Sequence, residues 1–144
     1  MTISPILKAD CGKLAVLHDM VFPKGWSAAE LARLSGERGM VALASKASEP
    51  DGFILVRVVS DEAEILTLAI HTNRRRSGIG RALLIQSLID CEQAGARRVL
   101  LEVSKDNDAA IQLYTTCGFR ETGLRKAYYA DGGDAIVMEK TLGE

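Results

Sequence analysis

The sequence contains few of the residues that small proteins use as covalent or metal-based supports. Its 144 residues include three cysteines, two histidines and three prolines, and only 5% are aromatic. Cys11, Cys91 and Cys117 are odd in number and far apart, which argues against a disulfide framework or a zinc site and predicts reduced thiols. A chain of this length buries about two-thirds of its unfolded surface, enough for an aliphatic core. We therefore expect residues 1–144 to form a single domain without a metal.

The sequence also lacks an excess of charge of either sign and any long apolar run. Eighteen Lys and Arg residues stand against 19 Asp and Glu residues, which gives a formal net charge of −1. A nearly neutral chain has no general attraction for nucleic acid or anionic lipid, so we expect neither as a direct partner. No apolar run approaches the roughly 18 residues that span a bilayer, and Met1–Asp10 lacks the pattern of a signal peptide. These absences predict a cytoplasmic protein.

Glycines and short polar clusters divide the chain into alternating helical and extended segments. A short strand precedes Asp10, which is suited to cap a helix that ends near Phe22. Ser27–Glu30 matches a capping box for a second helix, and Trp26 is placed to pack on Leu31 as a hydrophobic staple. The first third of the chain therefore predicts one strand and two helices.

The remaining elements follow from aliphatic runs and their periodicity. Three consecutive strands are predicted at Met40–Ala44, Gly52–Val59 and Ala63–Ile70, with a hairpin turn at Asp61–Glu62. An apolar stripe predicts a helix from Gly78 to about Gln93, capped by Gly95. The last predicted elements are the strand Val99–Val103, the helix Asn107–Thr116 closed by Gly118, and the strands Phe119–Tyr129 and Ala135–Lys140. This order predicts an α/β (α+β) fold whose mixed, mostly antiparallel central sheet has about six or seven strands flanked by about four helices.

The segment Arg75–Arg81 has the composition of a phosphate-binding turn. It joins a predicted strand to a predicted helix and contains Gly78 and Gly80. Unpaired N–H groups at a helix start, glycines that admit a phosphate and nearby arginines together favour anion binding. A solvated loop with glycines for turn geometry is the alternative. The segment is not a P-loop, because it lacks the pattern Gly, four residues, Gly-Lys and then Ser or Thr. It is not a Rossmann fingerprint, because Leu83 replaces the third glycine.

Two further residues have chemistry that the core does not need. Glu102 interrupts the apolar run Val99–Val103, so it faces solvent, a charged partner or a reaction site. Tyr114 shares a helical face with Asn107 and Ile111, where a core tyrosine is the alternative interpretation.

Taken in order, these segments resemble the GCN5-related N-acetyltransferases, the GNAT family. The segment Arg75–Gly80 matches the family pattern of Gln or Arg, two residues, Gly, one residue, then Gly or Ala. The downstream residues that hold the family's spacing are Leu101-Glu102-Val103, Asn107, Leu113-Tyr114 and Gly118-Phe119. The run Arg125–Tyr129 and the pair Trp26-Ser27 resemble the branch that acetylates the N-terminal amine of a small-subunit ribosomal protein. The sequence departs from the family at His71-Thr72, where many relatives have an acidic residue and proline.

The resemblance implies that acetyl-CoA is the cosubstrate. The backbone of Leu68, Ala69 and Ile70 would then pair with its pantetheine arm, and Asn107 would also contact that arm. The residues that would hold its pyrophosphate are Arg75, Arg76, Ser77, Gly78, Ile79, Gly80 and Arg81.

The resemblance also implies catalytic and acceptor-binding residues. Glu102 would accept a proton from the amine and Tyr114 would donate one to the leaving thiolate, whereas Trp26, Tyr128 and Tyr129 would contact the acceptor. These roles are chemically consistent, because an α-amine with a pKa of about 8 must lose a proton before it attacks a thioester. No covalent enzyme intermediate is needed, so the cysteines are not required as nucleophiles.

Other functions remain open from sequence alone. The acceptor could be a small amine, a polyamine or a lysine side chain. The domain could also bind coenzyme A without catalysis. RNA binding through the arginines is disfavoured, because no aromatic residues are interleaved with them.

Overall fold

The computed structural model describes residues 1–22, 25–74, 77–129 and 131–143, and these residues contain seven strands and four helices. The strands are β1 (Thr2–Pro5), β2 (Met40–Lys46), β3 (Pro50–Val59), β4 (Glu62–Ile70), β5 (Arg98–Ser104), β6 (Arg120–Arg125) and β7 (Ala135–Thr141). The helices are α1 (Cys11–Val21), α2 (Ala28–Ser35), α3 (Ile79–Gln93) and α4 (Asp108–Thr116).

The strands form one sheet in the order β1-β2-β3-β4-β5-β7-β6. Among the described strands, β4 and β5 are the parallel pair and the other neighbours are antiparallel. Helix α3 makes the crossover between these parallel strands, as such connections require. The structure confirms the predicted mixed, mostly antiparallel sheet flanked by helices.

Apolar side chains cover both faces of the sheet. One cluster joins α3 and α4 to the sheet and includes Leu83, Tyr114 and Val103. The opposite cluster joins α1 and α2 to the sheet and includes Leu14 and Leu31. Burial on both sides explains why the central strands are continuous aliphatic runs rather than alternating ones.

A β-bulge at Leu66 changes which side chains of β4 face each layer. Leu55 pairs with Thr67, whereas the next residue, Val56, pairs with Ile65, so Leu66 has no partner in β3. Ala63 and Ile65 pack in the α3 layer before the bulge, and Leu68 and Ile70 pack there after it. One inserted residue reverses the alternation.

Three local predictions are wrong in detail. The hairpin turn lies at Ser60–Asp61 rather than Asp61–Glu62, because Val59 pairs with Glu62 and Ser60 takes a positive φ of 57°, as tight hairpins require. Asp10 occupies the N-cap position of α1, but its side chain makes no capping hydrogen bond. Its carboxylate pairs with Lys46 instead.

The third correction concerns the strand predicted at Phe119–Tyr129. Strand β6 spans only Arg120–Arg125. The backbone turns at Ala127, whose φ of 51° is left-handed, so Tyr128 and Tyr129 lie in the loop between β6 and β7. An extended strand cannot contain a residue with this backbone conformation.

Helix boundaries with local signals are confirmed. Ser27 and Glu30 form the reciprocal capping box at the start of α2. Gly78 and Gly95 flank α3 with positive φ values of 82° and 100°, which glycine adopts without steric cost. In the described parts of the chain, no helix is both long enough and apolar enough to cross a bilayer.

Candidate active site

Strands β4 and β5 separate after three residue pairs, which opens a gap in the centre of the sheet. Pairing joins Glu62–Glu64 to Arg98–Leu100 and then stops. The bulge at Leu66 falls just beyond the last pair, where added twist directs β4 away from its neighbour. The candidate cosubstrate residues Leu68, Ala69 and Ile70 lie beyond this point, on the part of β4 that β5 does not cover. Their backbone therefore borders the gap.

The N-terminus of α3 lies beside the end of β4. A Cβ built on Gly80 would be 3.7 Å from Ile70 Cγ1 and 3.4 Å from Leu113 Cδ2, so β4, α3 and α4 meet at this glycine. The Arg81 guanidinium donates to Cys117 Sγ at 3.8 Å. The start of α3 thereby lies at one end of the gap.

This helix start has the donors that an anion needs. Among the described residues, no hydrogen bond occupies the backbone N–H groups of Ser77–Arg81, and no acidic residue lies in the first turn of α3. Such groups, together with the helix dipole, favour a phosphate. The Ser77 hydroxyl donates to the Arg74 carbonyl. Arg75 and Arg76 lie outside the described residues.

A buried aspartate that the sequence interpretation missed holds the segment before this loop. Asp51, at the start of β3, is 6% exposed. The His71 N–H donates to its carbonyl at 2.8 Å, and Arg74 Nε lies 3.6 Å from its carboxylate. The chain forms a 3-10 turn at Thr72–Arg74, where the sequence departs from the family pattern. Nothing local identified Asp51, because its partners lie about twenty residues further on.

Glu102 lies on β5 beyond the last β4–β5 pair. Its neighbours Leu101 and Val103 are buried in the α3 layer, so the alternation of a strand directs Glu102 to the opposite face. Glu102 Oε1 lies 3.5 Å from Arg125 Nη2. Glu102 Oε2 is buried and has no hydrogen-bond partner among the described residues. A buried acceptor without a partner is costly, by about 1–3 kcal/mol, and suits a ligand N–H or a water.

Tyr128 lies next to the same carboxylate. The nearby Glu102 carboxylate raises the pKa of its phenol, because it can accept a hydrogen bond from the hydroxyl and carries a negative charge. The Arg125 guanidinium lies 5.5 Å from the centre of the Tyr128 ring, and Tyr129 packs edge-on against that ring at 5.1 Å. The structure therefore brings Tyr128 and Tyr129 together with Glu102 and adds Arg125 to the same group.

Tyr114 lies on α4 in the opposite layer. It is 7% exposed and contacts Phe119 edge-on at 5.6 Å. Burial raises the pKa of its phenol above the ordinary value, so the hydroxyl stays protonated at neutral pH but is a weaker acid than a phenol in water. Its neighbour Leu113 contacts the start of α3, which places Tyr114 near the loop end of the gap.

Two other candidates have structural contacts. Asn107 is the N-cap of α4, and its Oδ1 accepts the Ala110 N–H at 3.2 Å. Trp26 packs in the α1–α2 cluster that also contains Leu31. The Trp26 ring stacks on His18 with centroids 5.2 Å apart. His18 is buried, and its Nε2 lies 2.9 Å from Thr67 Oγ1 on β4.

The cysteines show no sign of nucleophilic activation. Cys11 and Cys91 are buried. Burial raises the pKa of both thiols, that of Cys91 to about 12, whereas a nucleophilic cysteine needs a lowered pKa. Cys117 is partly buried and packs at the edge of the α3 core.

A sheet that opens between β4 and β5, a helix start with unoccupied backbone donors and a carboxylate beside the opening fit an enzyme that transfers a group from an anionic cosubstrate. Residues 13–119 match the model of the acetyltransferase (GNAT) family, and the chain belongs to that family. It is an acetyl-CoA-dependent N-acetyltransferase.

Individual relatives agree with this assignment. The chain is 37% identical over 140 residues to the ribosomal protein bS18-alanine N-acetyltransferase of Escherichia coli K12, covering 95% of each chain. The crystal structure of the E. coli ribosomal-protein-S18-alanine N-acetyltransferase superposes with a TM-score of 0.89 at 30% identity, over 99% of this chain and 94% of that one. The structure of Ard1 from Thermoplasma volcanium gives a TM-score of 0.88 at 29% identity, over 99% and 98%.

Proposed function

We propose that this enzyme transfers the acetyl group of acetyl-CoA to the N-terminal α-amine of a protein, with the alanine N-terminus of ribosomal protein S18 as the first candidate. The observation that carries the proposal is the 37% identity, over 95% of both chains, to an enzyme named for that acceptor. Such an acceptor would place the reaction in the cytoplasm. We also propose that residues 1–144 act as one domain.

The gap between β4 and β5 is proposed to hold the cosubstrate. Its pantetheine amides would pair with the backbone of Leu68, Ala69 and Ile70, where β5 provides no partner. The diphosphate would accept hydrogen bonds from the backbone of Ser77–Arg81, with Arg75 and Arg76 adding positive charge. The Asn107 side chain would contact the arm in addition to capping α4.

Glu102 is proposed as the general base. An α-amine is mostly protonated at neutral pH and cannot attack until its proton is removed. The orphaned Oε2 atom of Glu102 is suited to accept that proton directly or through a water. The nitrogen then forms a bond to the thioester carbonyl carbon, and the carbonyl π electrons move to oxygen. The positively charged nitrogen of this adduct loses its second proton to water, which leaves a neutral amide when the adduct collapses.

Tyr114 is proposed as the general acid. When the tetrahedral adduct collapses, the carbon–sulfur bond breaks and the electron pair leaves on sulfur. The Tyr114 hydroxyl donates its proton to that thiolate and later recovers one from solvent. Its raised pKa keeps it protonated for this step, and a thiolate in the same dry site is more basic than the ordinary thiol value of about 8.5.

The acceptor is proposed to bind on the Glu102 face, between the β6–β7 loop and the α1–α2 layer. Tyr128 is about half exposed, and it lies with Tyr129 beside the base. Trp26 would contact the acceptor from the α1–α2 layer. Aromatic rings with polar tips suit a peptide, because they offer both apolar area and hydrogen bonds.

Mass spectrometry of peptides after incubation with acetyl-CoA tests the proposal. One peptide should carry a free N-terminal alanine, a second should have that amine blocked and a lysine inside, and polyamines should be tried alongside. We expect acetylation of the first alone. Acetylated lysine or polyamine without α-amine product would establish a different acceptor, and no product with any of these amines would show that the acceptor lies outside the panel.

A further inference from the structure

The backbone at Ala127 is held in a conformation that its side chain does not favour. Its φ of 51° lies in the left-handed region, which residues other than glycine adopt rarely and only where surrounding contacts hold them. Ala127 immediately precedes Tyr128, and Arg125 lies two residues before it. The strained residue is therefore in the middle of the segment that surrounds Glu102.

A side-chain hydrogen bond holds this conformation. The Asp134 Oδ1 atom accepts the Ala127 N–H at 2.8 Å. Asp134 is itself fixed, because its carbonyl accepts the Lys105 N–H at 3.0 Å just after β5. A second contact, from the Tyr129 N–H to the Gly133 carbonyl at 3.1 Å, closes the loop. Asp134 thereby links the end of the Glu102 strand to the backbone before Tyr128.

The left-handed turn determines where Tyr128 lies. It ends strand β6 at Arg125 and brings the Tyr128 ring under the Arg125 guanidinium, which also contacts Glu102. Continued extended backbone would carry Tyr128 further along the sheet. The position of Tyr128 against the base thus depends on the conformation of Ala127.

We propose that Asp134 is a positioning residue for the acceptor: its carboxylate holds Ala127 left-handed and so fixes Tyr128 beside Glu102. The inference rests on the proposed function in one respect, that Tyr128 lines the acceptor site. Asp134 is not proposed to contact acetyl-CoA.

Matched substitutions separate the hydrogen bond from charge and from general damage. Asp134→Ala should raise the KM for the alanine peptide about tenfold, the size expected for one hydrogen bond, while the KM for acetyl-CoA changes less than twofold. Asp134→Asn keeps an acceptor oxygen, so it should restore the peptide KM. Ala127→Gly should be neutral, whereas the β-branched Ala127→Val should raise the peptide KM, since Val tolerates φ > 0 poorly.

A second measurement follows the loop without turnover. The titration of Tyr128, recorded by NMR of 13C-labelled tyrosine and assigned with Tyr128→Phe, reports its proximity to Glu102. Asp134→Ala should move the Tyr128 pKa down toward the ordinary phenol value, and Asp134→Asn should not. Thermal unfolding of each variant verifies that it is folded.

The outcomes distinguish the inference from the proposed function. Equal effects of Asp134→Ala and Asp134→Asn, or an unchanged Tyr128 titration in Asp134→Ala, would overturn the role of Asp134. A normal peptide KM in Tyr128→Ala would instead overturn the acceptor site, and the titration would still decide whether Asp134 positions the ring.

Discussion

The side chains of Glu102 and Tyr114 lie on opposite faces of the same sheet. Val103, next to Glu102, packs in the cluster that contains Tyr114, so strand alternation directs Glu102 to the other layer. A molecule must occupy the gap between β4 and β5 to touch both. In the proposed mechanism, the amine would approach from the Glu102 side and the departing thiolate would lie toward Tyr114.

The first prediction concerns the base. Glu102→Gln should lower kcat with the alanine peptide by about a hundredfold or more. The loss should be greatest at low pH, where the largest fraction of the amine is protonated. Rates from pH 6 to 9 test this, with calorimetric binding of coenzyme A as the control. A uniform loss at every pH would argue against proton removal by Glu102.

The second prediction concerns the acid. Tyr114→Phe keeps the ring contact with Phe119 and removes the hydroxyl. Turnover should fall roughly a hundredfold while the Kd for acetyl-CoA stays nearly unchanged. Because burial raises the pKa of Tyr114, the parent enzyme should lose no activity through ionisation of this phenol up to about pH 10. Unchanged turnover in the variant would remove Tyr114 from the mechanism.

The third prediction uses the two glycines that flank α3. A Cβ on Gly78 or on Gly95 meets no atom within 4 Å, and both have positive φ. Alanine at either position costs about 1–2 kcal/mol of backbone strain, which should lower the melting temperature in both variants. In Gly78→Ala alone, the part of this strain that the free enzyme escapes by relaxing the turn must be met when binding restores the left-handed turn, so the affinity for coenzyme A should also fall, by at most roughly 30-fold. Equal affinities in the two variants would show that the helix start is not the diphosphate site.

The fourth prediction concerns pH and stability. Burial lowers the pKa of His18 despite the opposing charge of Asp19, so the folded state binds a proton less readily than the unfolded chain. The contribution of neutral His18 to the free energy of unfolding is therefore fully present above the unfolded-state pKa of about 6.5. It is lost as the pH falls from there through the lower pKa of the folded state. Thermal unfolding at pH 7.5 and 5.5 measures this loss. In His18→Asn, the difference between the two pH values should shrink, and an undiminished difference would assign it to other groups.

The parts of the fold that the sequence predicts well have local determinants. The capping box at Ser27–Glu30 and the glycines at both ends of α3 act within a few residues of themselves, and their predicted positions are confirmed. The aliphatic runs likewise identify the central strands, although each strand extends one or two residues beyond the predicted run at one end or both.

Features that depend on distant contacts were not predictable. The bulge at Leu66 has no glycine to mark it and depends on pairing with β3. The predicted strand β6 is too long at its C-terminal end. The strand ends where the Ala127 N–H donates to Asp134, and that partner lies seven residues away, on the other side of a turn. The site follows the same rule: Glu102 is conspicuous in an apolar run, whereas Asp51 and Asp134 resemble ordinary turn residues until their partners are known.

The short β4–β5 ladder also has a consequence for cohesion. Three residue pairs between β4 and β5 join the strands β1–β4 to the strands β5–β7. Beyond Glu64, the edge of β4 that faces β5 has no strand partner among the described residues. A bound pantetheine chain would complete that edge like an extra strand, and the melting temperature of the loaded enzyme should rise with the logarithm of the ligand concentration once that concentration exceeds Kd. Amide hydrogens on that edge should exchange slowly only when the cosubstrate is bound. The cosubstrate would then be part of what holds β1–β4 and β5–β7 together.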